Sequence, residues 1–304
     1  MHNPVTTGMG DEGMQGLLLQ GLTTTPRRFG TLLLACFLFA ASTTESVSAD
    51  SAEYDYYGVD KNALALYRQG WSEILERGRW TEAERLYREA MLIDPDFIIG
   101  KSVLARITDD PKERQALTAE IERDIDGVDT SGRWVLDPYL MTLLLINARE
   151  SAQTLPEDFR RDLAQLAVKN YRSFLQEYPG EWAVRVEYIE WIHAQQGPEN
   201  ALTAIEEMQE QDSTSSVRMS YFPAYFYAEL GDYPRATALA EQFVESLGPG
   251  DWPQAHYIAA FIAYQREDYA VASDAINRAL RLDPKHLIAQ RLRKEIDAAI
   301  ADSD

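Results

Sequence analysis

Two stretches far apart in the chain share one spacing. Gly78, Trp80, Ala83, Tyr87, Ala90 and Pro95 stand near the start, and Asp268, Tyr269, Ala272, Ile276, Ala279 and Pro284 near the end. In each, a turn residue precedes an aromatic, two alanines follow seven apart, and a proline closes the stretch five residues later. Small side chains let helices approach closely, and proline ends a helix. The phrase therefore describes one helix of a repeated helical hairpin. Hairpins that cannot bury their apolar faces alone do so by stacking. The expected fold is all-α: an α-solenoid of about six antiparallel helix pairs with a C-terminal capping helix.

Apolar spacings of three and four run from Leu64 to Ile300, broken only by turn clusters such as Asp109-Asp110-Pro111, Pro179-Gly180 and Gly248 to Gly250. They predict pairs at 62–77 with 80–93, 96–107 with 111–124, 135–150 with 157–178, 181–195 with 199–211, 218–230 with 233–247, and 253–266 with 269–281. A last helix over 286–300, with Glu295 and a charged tail, reads as a solvated end-cap. No alternating run bounded by hairpin turns predicts a strand. Residues 50–61, tyrosine-rich up to Gly58, read as a linker, and 62–304 as the repeat domain.

With 304 residues, 45% hydrophobic and 26% charged, the composition is globular. The net charge of -20 repels phosphate backbones, which disfavours nucleic acid as a partner. Arg27 and Arg28, the apolar run Phe29 to Ala41 and Val47-Ser48-Ala49 follow the order of a secretory signal, with cleavage expected after Ala49. Residues 1–49 are thus a signal peptide with a long leader, and Met9 or Met14 offers an alternative start. The product is expected to be exported, either periplasmic or secreted. Leu33-Leu34-Ala35-Cys36 resembles a lipobox, so a lipid anchor on Cys36 is the alternative and the sole expected link to a membrane. Pro26 stands where a twin-arginine signal usually has a hydroxyl residue. Removing Cys36 would leave the mature chain without a thiol.

The repeated phrase resembles the tetratricopeptide repeat, a helix-turn-helix unit with a period near 34 residues. The clearest copies are 64–97, 217–250 and 253–286. The last two agree at an offset of 36 through Gly231/Glu267, Tyr233/Tyr269 and Ala236/Ala272. Ala167, Tyr171 and Pro179 mark another second helix, and 96–124, 135–179 and 181–211 are degenerate pairs. Ala83, Ala90, Ala272 and Ala279 are read as close-packing positions, and Tyr87 as a ring between paired helices.

The resemblance also implies where a ligand would lie. In this family the first helix of each pair faces a concave groove. The positions so implied are Arg218, Tyr221, Tyr225, Ala228 and Glu229, then Gln254, Tyr257, Phe261, Tyr264 and Gln265. Their rings would suit an extended peptide or an amphipathic helix of a partner protein. The competing reading packs the same rings as core; Tyr227 and Ile258 are assigned to core, and Tyr225, Phe261 and Tyr264 to the groove. The family's grip on a C-terminal carboxylate needs a basic residue and an asparagine, where the first unit offers Arg68 and Ser72, with Leu75 and Glu76 beside them.

Other chemistry is thinly represented. Asp124 to Asp129 superficially resembles a calcium loop, but the ligand order is not that of an EF-hand, and Asp129 or Ser131 reads better as a helix cap. Glu190 and His193 share a helix face without the second such pair that a di-iron site needs. No nucleophile elbow, phosphate loop or dinucleotide turn appears. The expected function is that of an exported, non-catalytic protein-binding scaffold without cofactor or metal. The alternative is a glycan or cell-wall binding module using the same rings, and an enzyme or enzyme subunit ranks third.

Overall fold

The computed structural model describes residues 53–56, 58–211 and 221–303. The predicted signal peptide, Cys36 and Arg218 lie outside them. The described residues form thirteen α-helices and no strand. They pair as α1 (Lys61–Ser72) with α2 (Trp80–Ile93), α3 (Ile98–Ile107) with α4 (Pro111–Asp124), and α5 (Thr130–Glu150) with α6 (Phe159–Glu177). The series continues with α7 (Trp182–Gln196) and α8 (Pro198–Gln211), α9 (Tyr221–Glu229) and α10 (Tyr233–Ser246), α11 (Pro253–Gln265) and α12 (Tyr269–Leu282), and ends in α13 (Leu287–Ser303). The architecture is an all-α solenoid of antiparallel pairs.

Local chemistry sets most boundaries. Asp60, Asp110, Asp129, Asp232 and Asp268 each accept a backbone N–H in the first turn of the helix that follows. Gly78, Gly231 and Glu267, the inter-helix turn positions of the three clearest copies, all have left-handed backbone, with φ of 70°, 80° and 62°. Glu267 adopts it although it lacks glycine's freedom. Ala83, Ala90, Ala167, Ala236, Ala272 and Ala279 are fully buried, as are Tyr87 and Tyr171. Tyr233 adds a link between units by donating its hydroxyl to the Gln265 carbonyl. α1 runs into a π-helical turn, Glu73–Arg77, whose buried Glu73 pairs with Arg77 and Arg79.

Three sequence expectations change. α5 starts at Thr130 rather than 135, because Asp129 caps it through the Gly132 N–H at 2.7 Å and starts it a turn early. α13 is more than a solvated cap: Ala289, Leu292 and Ile296 are buried, and Arg291 turns inward. Burial holds the Arg291 guanidinium down at about 9, with the nearby Arg149 charge acting in the same direction. The supposed linker belongs to the core, since Tyr54 and Tyr56 are 2% and 1% exposed.

The array curves until its ends meet. Asp283, between α12 and α13, accepts the Thr81 N–H at 2.9 Å and the Thr81 hydroxyl at 2.7 Å, across 202 residues of chain. Lys285 bridges to Glu84, and the Arg77 guanidinium lies 5.5 Å from the centre of the Trp252 ring. Gly78 sits directly against Gln254 and His286. Trp80 and Tyr257 approach the His286 ring from the two sides of this seam, at 6.1 Å and 5.5 Å.

His286 makes the seam sensitive to acid. The ring is fully buried, and the Ala289 N–H donates to Nδ1 at 3.3 Å, which places the neutral ring's proton on Nε2. Burial pushes its pKa from 6.5 down to about 3. Above pH 6.5 both folded and unfolded chains hold the ring neutral; below it, the unfolded chain takes up a proton that the folded chain refuses. Stability should therefore fall by about 1.4 kcal/mol per pH unit between those two values, until opening the seam alone becomes cheaper. Thermal midpoints between pH 7 and pH 5 should drop less for His286→Gln than for the native chain, and parallel slopes would rule the effect out.

Candidate functional site

Residues 53–56 form a short non-helical arm held in a slot between α1, α3, α6 and the start of α7. The backbone turns at Tyr56, whose φ of 52° is left-handed, and the Tyr54 and Tyr56 rings meet each other in the slot. The Tyr54 ring packs among Tyr56, Phe174 and Tyr178, at centroid distances of 4.8, 5.3 and 4.9 Å. The Tyr56 ring packs on Tyr67 and Phe97 at 5.4 and 5.7 Å.

Polar groups grip the main chain as well as the rings. Glu181 accepts the Tyr54 N–H at 3.0 Å and the Tyr56 hydroxyl at 3.1 Å. Arg68 donates to the Tyr54 carbonyl at 3.2 Å, to Glu181 at 2.6 Å and to Glu53 at 2.8 Å. The Tyr54 hydroxyl donates to Asp129 at 3.0 Å, so this carboxylate serves the arm and the α5 cap together. Glu181 stands at the N-cap of α7 but turns its side chain to the arm instead of capping. Burial raises its pKa against the opposing pull of Arg68, the Tyr54 N–H and the Tyr56 hydroxyl. Arg68 thus does hold a peptide main chain, with Glu181 from 113 residues away as its partner. The sequence signal for this was the cluster of tyrosines ahead of the Asp60 cap.

Open space adjoins the arm at both ends. Beyond Glu53 a groove of about 480 Å³ runs along Arg68, Ser72 and Glu76 on one side and Gly180 to Trp182 on the other. Beside Tyr56 a second hollow of about 330 Å³ lies between the chain's own Gly58 and Val59 and the residues Asp94, Phe97, Ile99 and Val128.

The aromatic face predicted on α9 and α11 is mostly closed. Tyr225 and Phe261, read from sequence as groove residues, stack face to face at 3.9 Å and are 5% and 2% exposed. Tyr221 packs on Phe243, and Tyr257 on Phe261 and His286. Gln254 is buried at the seam. The tight curvature brings the inner helices together, so these rings meet one another across the concave side. Burial first, and then the Glu229 carboxylate, push the Tyr225 phenol well above its usual range. Glu229, Tyr264 and Gln265 remain partly exposed. Glu229 pairs with His193 at 2.5 Å, and the His193 ring stacks on Phe226.

A second polar cluster lies deeper. Arg106 donates to Glu187 at 2.9 Å, with side-chain exposures of 6% and 0%, and its guanidinium lies 4.1 Å from the Tyr139 ring centre. Arg106 Nη1, Glu187 Oε2 and the hydroxyls of Tyr87, Tyr139, Tyr171 and Thr142 are buried without a hydrogen-bond partner among the described residues. Burial and the adjacent Glu187 raise the Glu190 carboxyl well above the usual carboxylate range. Among the described residues no three His, Cys, Asp or Glu side chains are grouped as metal ligands would be. No protein-family model matches the chain, and no curated protein is significantly similar to it.

Proposed function

We propose that the protein is an exported, non-catalytic scaffold of the tetratricopeptide kind, whose concave side grips a segment of a partner protein. One observation supports this above others: the array holds a non-helical segment, its own arm, by main-chain hydrogen bonds and ring pockets together. Main-chain bonds hold any extended segment, and pockets for alternate side chains choose among them. On the C-terminal half, the partner meets the open rim of Glu229, Tyr264 and Gln265, since the rings behind it are packed on each other. A glycan-binding role is less well supported, because stacking on sugars needs free ring faces and Tyr264 is the one ring of the five that stays partly exposed.

Photo-crosslinking amino acids at positions 264 and 265, set against position 271 as a control, test this reading in exported protein. Val271 is 53% exposed on the outer helix α12. A discrete protein adduct from 264 or 265, absent from 271, is expected. Equal labelling at all three positions would reject the concave site.

A further inference from the structure

We infer that the Arg68–Glu181 slot is a recognition site for a non-helical segment of another protein with aromatic residues two apart and a carboxylate just before the first, and that residues 53–56 are its built-in competitor. This rests on the scaffold reading above and names both the ligand class and its regulation. Each required feature is present in the arm. Glu53 meets Arg68 as an ion pair, Tyr54 presents its N–H to Glu181 and its carbonyl to Arg68, and the rings of Tyr54 and Tyr56 fill adjacent pockets.

The grip has the form of ligand recognition more than of ordinary core packing. A core needs apolar area, and here a buried carboxylate and a guanidinium satisfy both main-chain groups of a single residue. The groove that continues from Glu53 along Arg68, Ser72 and Glu76 makes the slot longer than the two rings that occupy it. A partner segment can therefore make contacts the arm does not. Gly58, between the arm and α1, has φ of 71° and open space around it, so the arm can pivot about it without a clash.

A short tether gives the arm an effective concentration of about millimolar, so a free peptide of equal intrinsic affinity competes poorly. Only the fraction of molecules with an open slot binds the partner, and apparent affinity falls by that fraction. The partner must therefore be tethered nearby, locally concentrated, or longer than the arm.

The test uses a fluorescein-labelled peptide with the sequence of residues 50–58 and the full chain. Tyr54→Ala/Tyr56→Ala empties the slot in cis. Saturable anisotropy binding should then be roughly tenfold or more tighter than to the native chain, and a peptide with alanine at the positions of Tyr54 and Tyr56 should not bind. A helical double variant that binds the peptide no better than the native chain overturns the inference. If the double variant loses its helical circular-dichroism signal, amide exchange of Tyr54 in the native chain decides. Faster exchange on adding millimolar peptide, with α1 amides unchanged, supports displacement, and no change overturns it. A concentration-dependent dimer of the native chain that the peptide dissolves would overturn the partner assignment in favour of arm exchange between two copies. A failed peptide test alongside adducts at position 264 sinks this inference and leaves the scaffold reading standing; the reverse pattern does the opposite.

Discussion

Glu187→Ala is expected to lower unfolding free energy by about 3–5 kcal/mol, because it strands a buried guanidinium without its counter-charge. Glu187 is fully buried and Arg106 nearly so, and Arg106 already has one nitrogen without a partner. Removing the carboxylate leaves Arg106 with the Tyr139 ring, the unpartnered tyrosine hydroxyls and the Glu190 carboxyl, which burial holds well above the usual carboxylate range. Burial holds the phenols of Tyr87, Tyr139 and Tyr171 well above their usual range, so they stay neutral. The paired change Arg106→Met/Glu187→Leu should lose far less, within about 1–2 kcal/mol of the native chain, since it removes both charges and keeps the volume. Urea unfolding of Glu187→Ala and of the double variant reads this directly. A Glu187→Ala loss below about 1 kcal/mol would mean that water already solvates the pair.

Gly78→Ala should cost about 3 kcal/mol or more, whereas the same change at Gly231 should cost only about 1 kcal/mol. The two glycines occupy equivalent turns with φ of 70° and 80°, so the backbone penalty for a Cβ is the same at both. Their surroundings differ. A Cβ at Gly231 meets nothing within 4 Å, while one at Gly78 falls 2.6 Å from the Gln254 backbone nitrogen and 2.6 Å from His286 Nε2. No rotamer change relieves contact with a backbone atom, so α11 must shift or the seam must part. The difference between the two melting shifts measures the seam. A parted seam would also appear as a larger radius of gyration in solution scattering and faster amide exchange in α11. Equal shifts at the two glycines would show that the seam contributes nothing.

Helix positions were legible because local rules set them. The spans read at 80–93 and 111–124 coincide with α2 and α4, where apolar spacing and Pro111 mark the ends. The offset of 36 between the last two units was also sound, since Gly231 and Glu267 share one backbone conformation. What stayed hidden depends on distant partners. An aromatic on an inner helix face reads alike whether it meets a ligand or another ring, and only the curvature of the array decided for Tyr225 and Phe261. That curvature is a sum of small rotations between units, which no short stretch records. The arm was missed for a related reason: tyrosines in a polar stretch gain their meaning from Glu181 and Phe174, more than a hundred residues away.

The contact between Thr81 and Asp283 limits how such a gene can change. An open tandem array gains or loses a hairpin at little cost, because each copy touches only the ones beside it. Here the first and last copies also touch, and one added hairpin would carry Asp283, Lys285 and His286 past Thr81, Glu84 and Gly78. Copy number is thereby locked, and diversification is left to substitutions on the rim and within the slot.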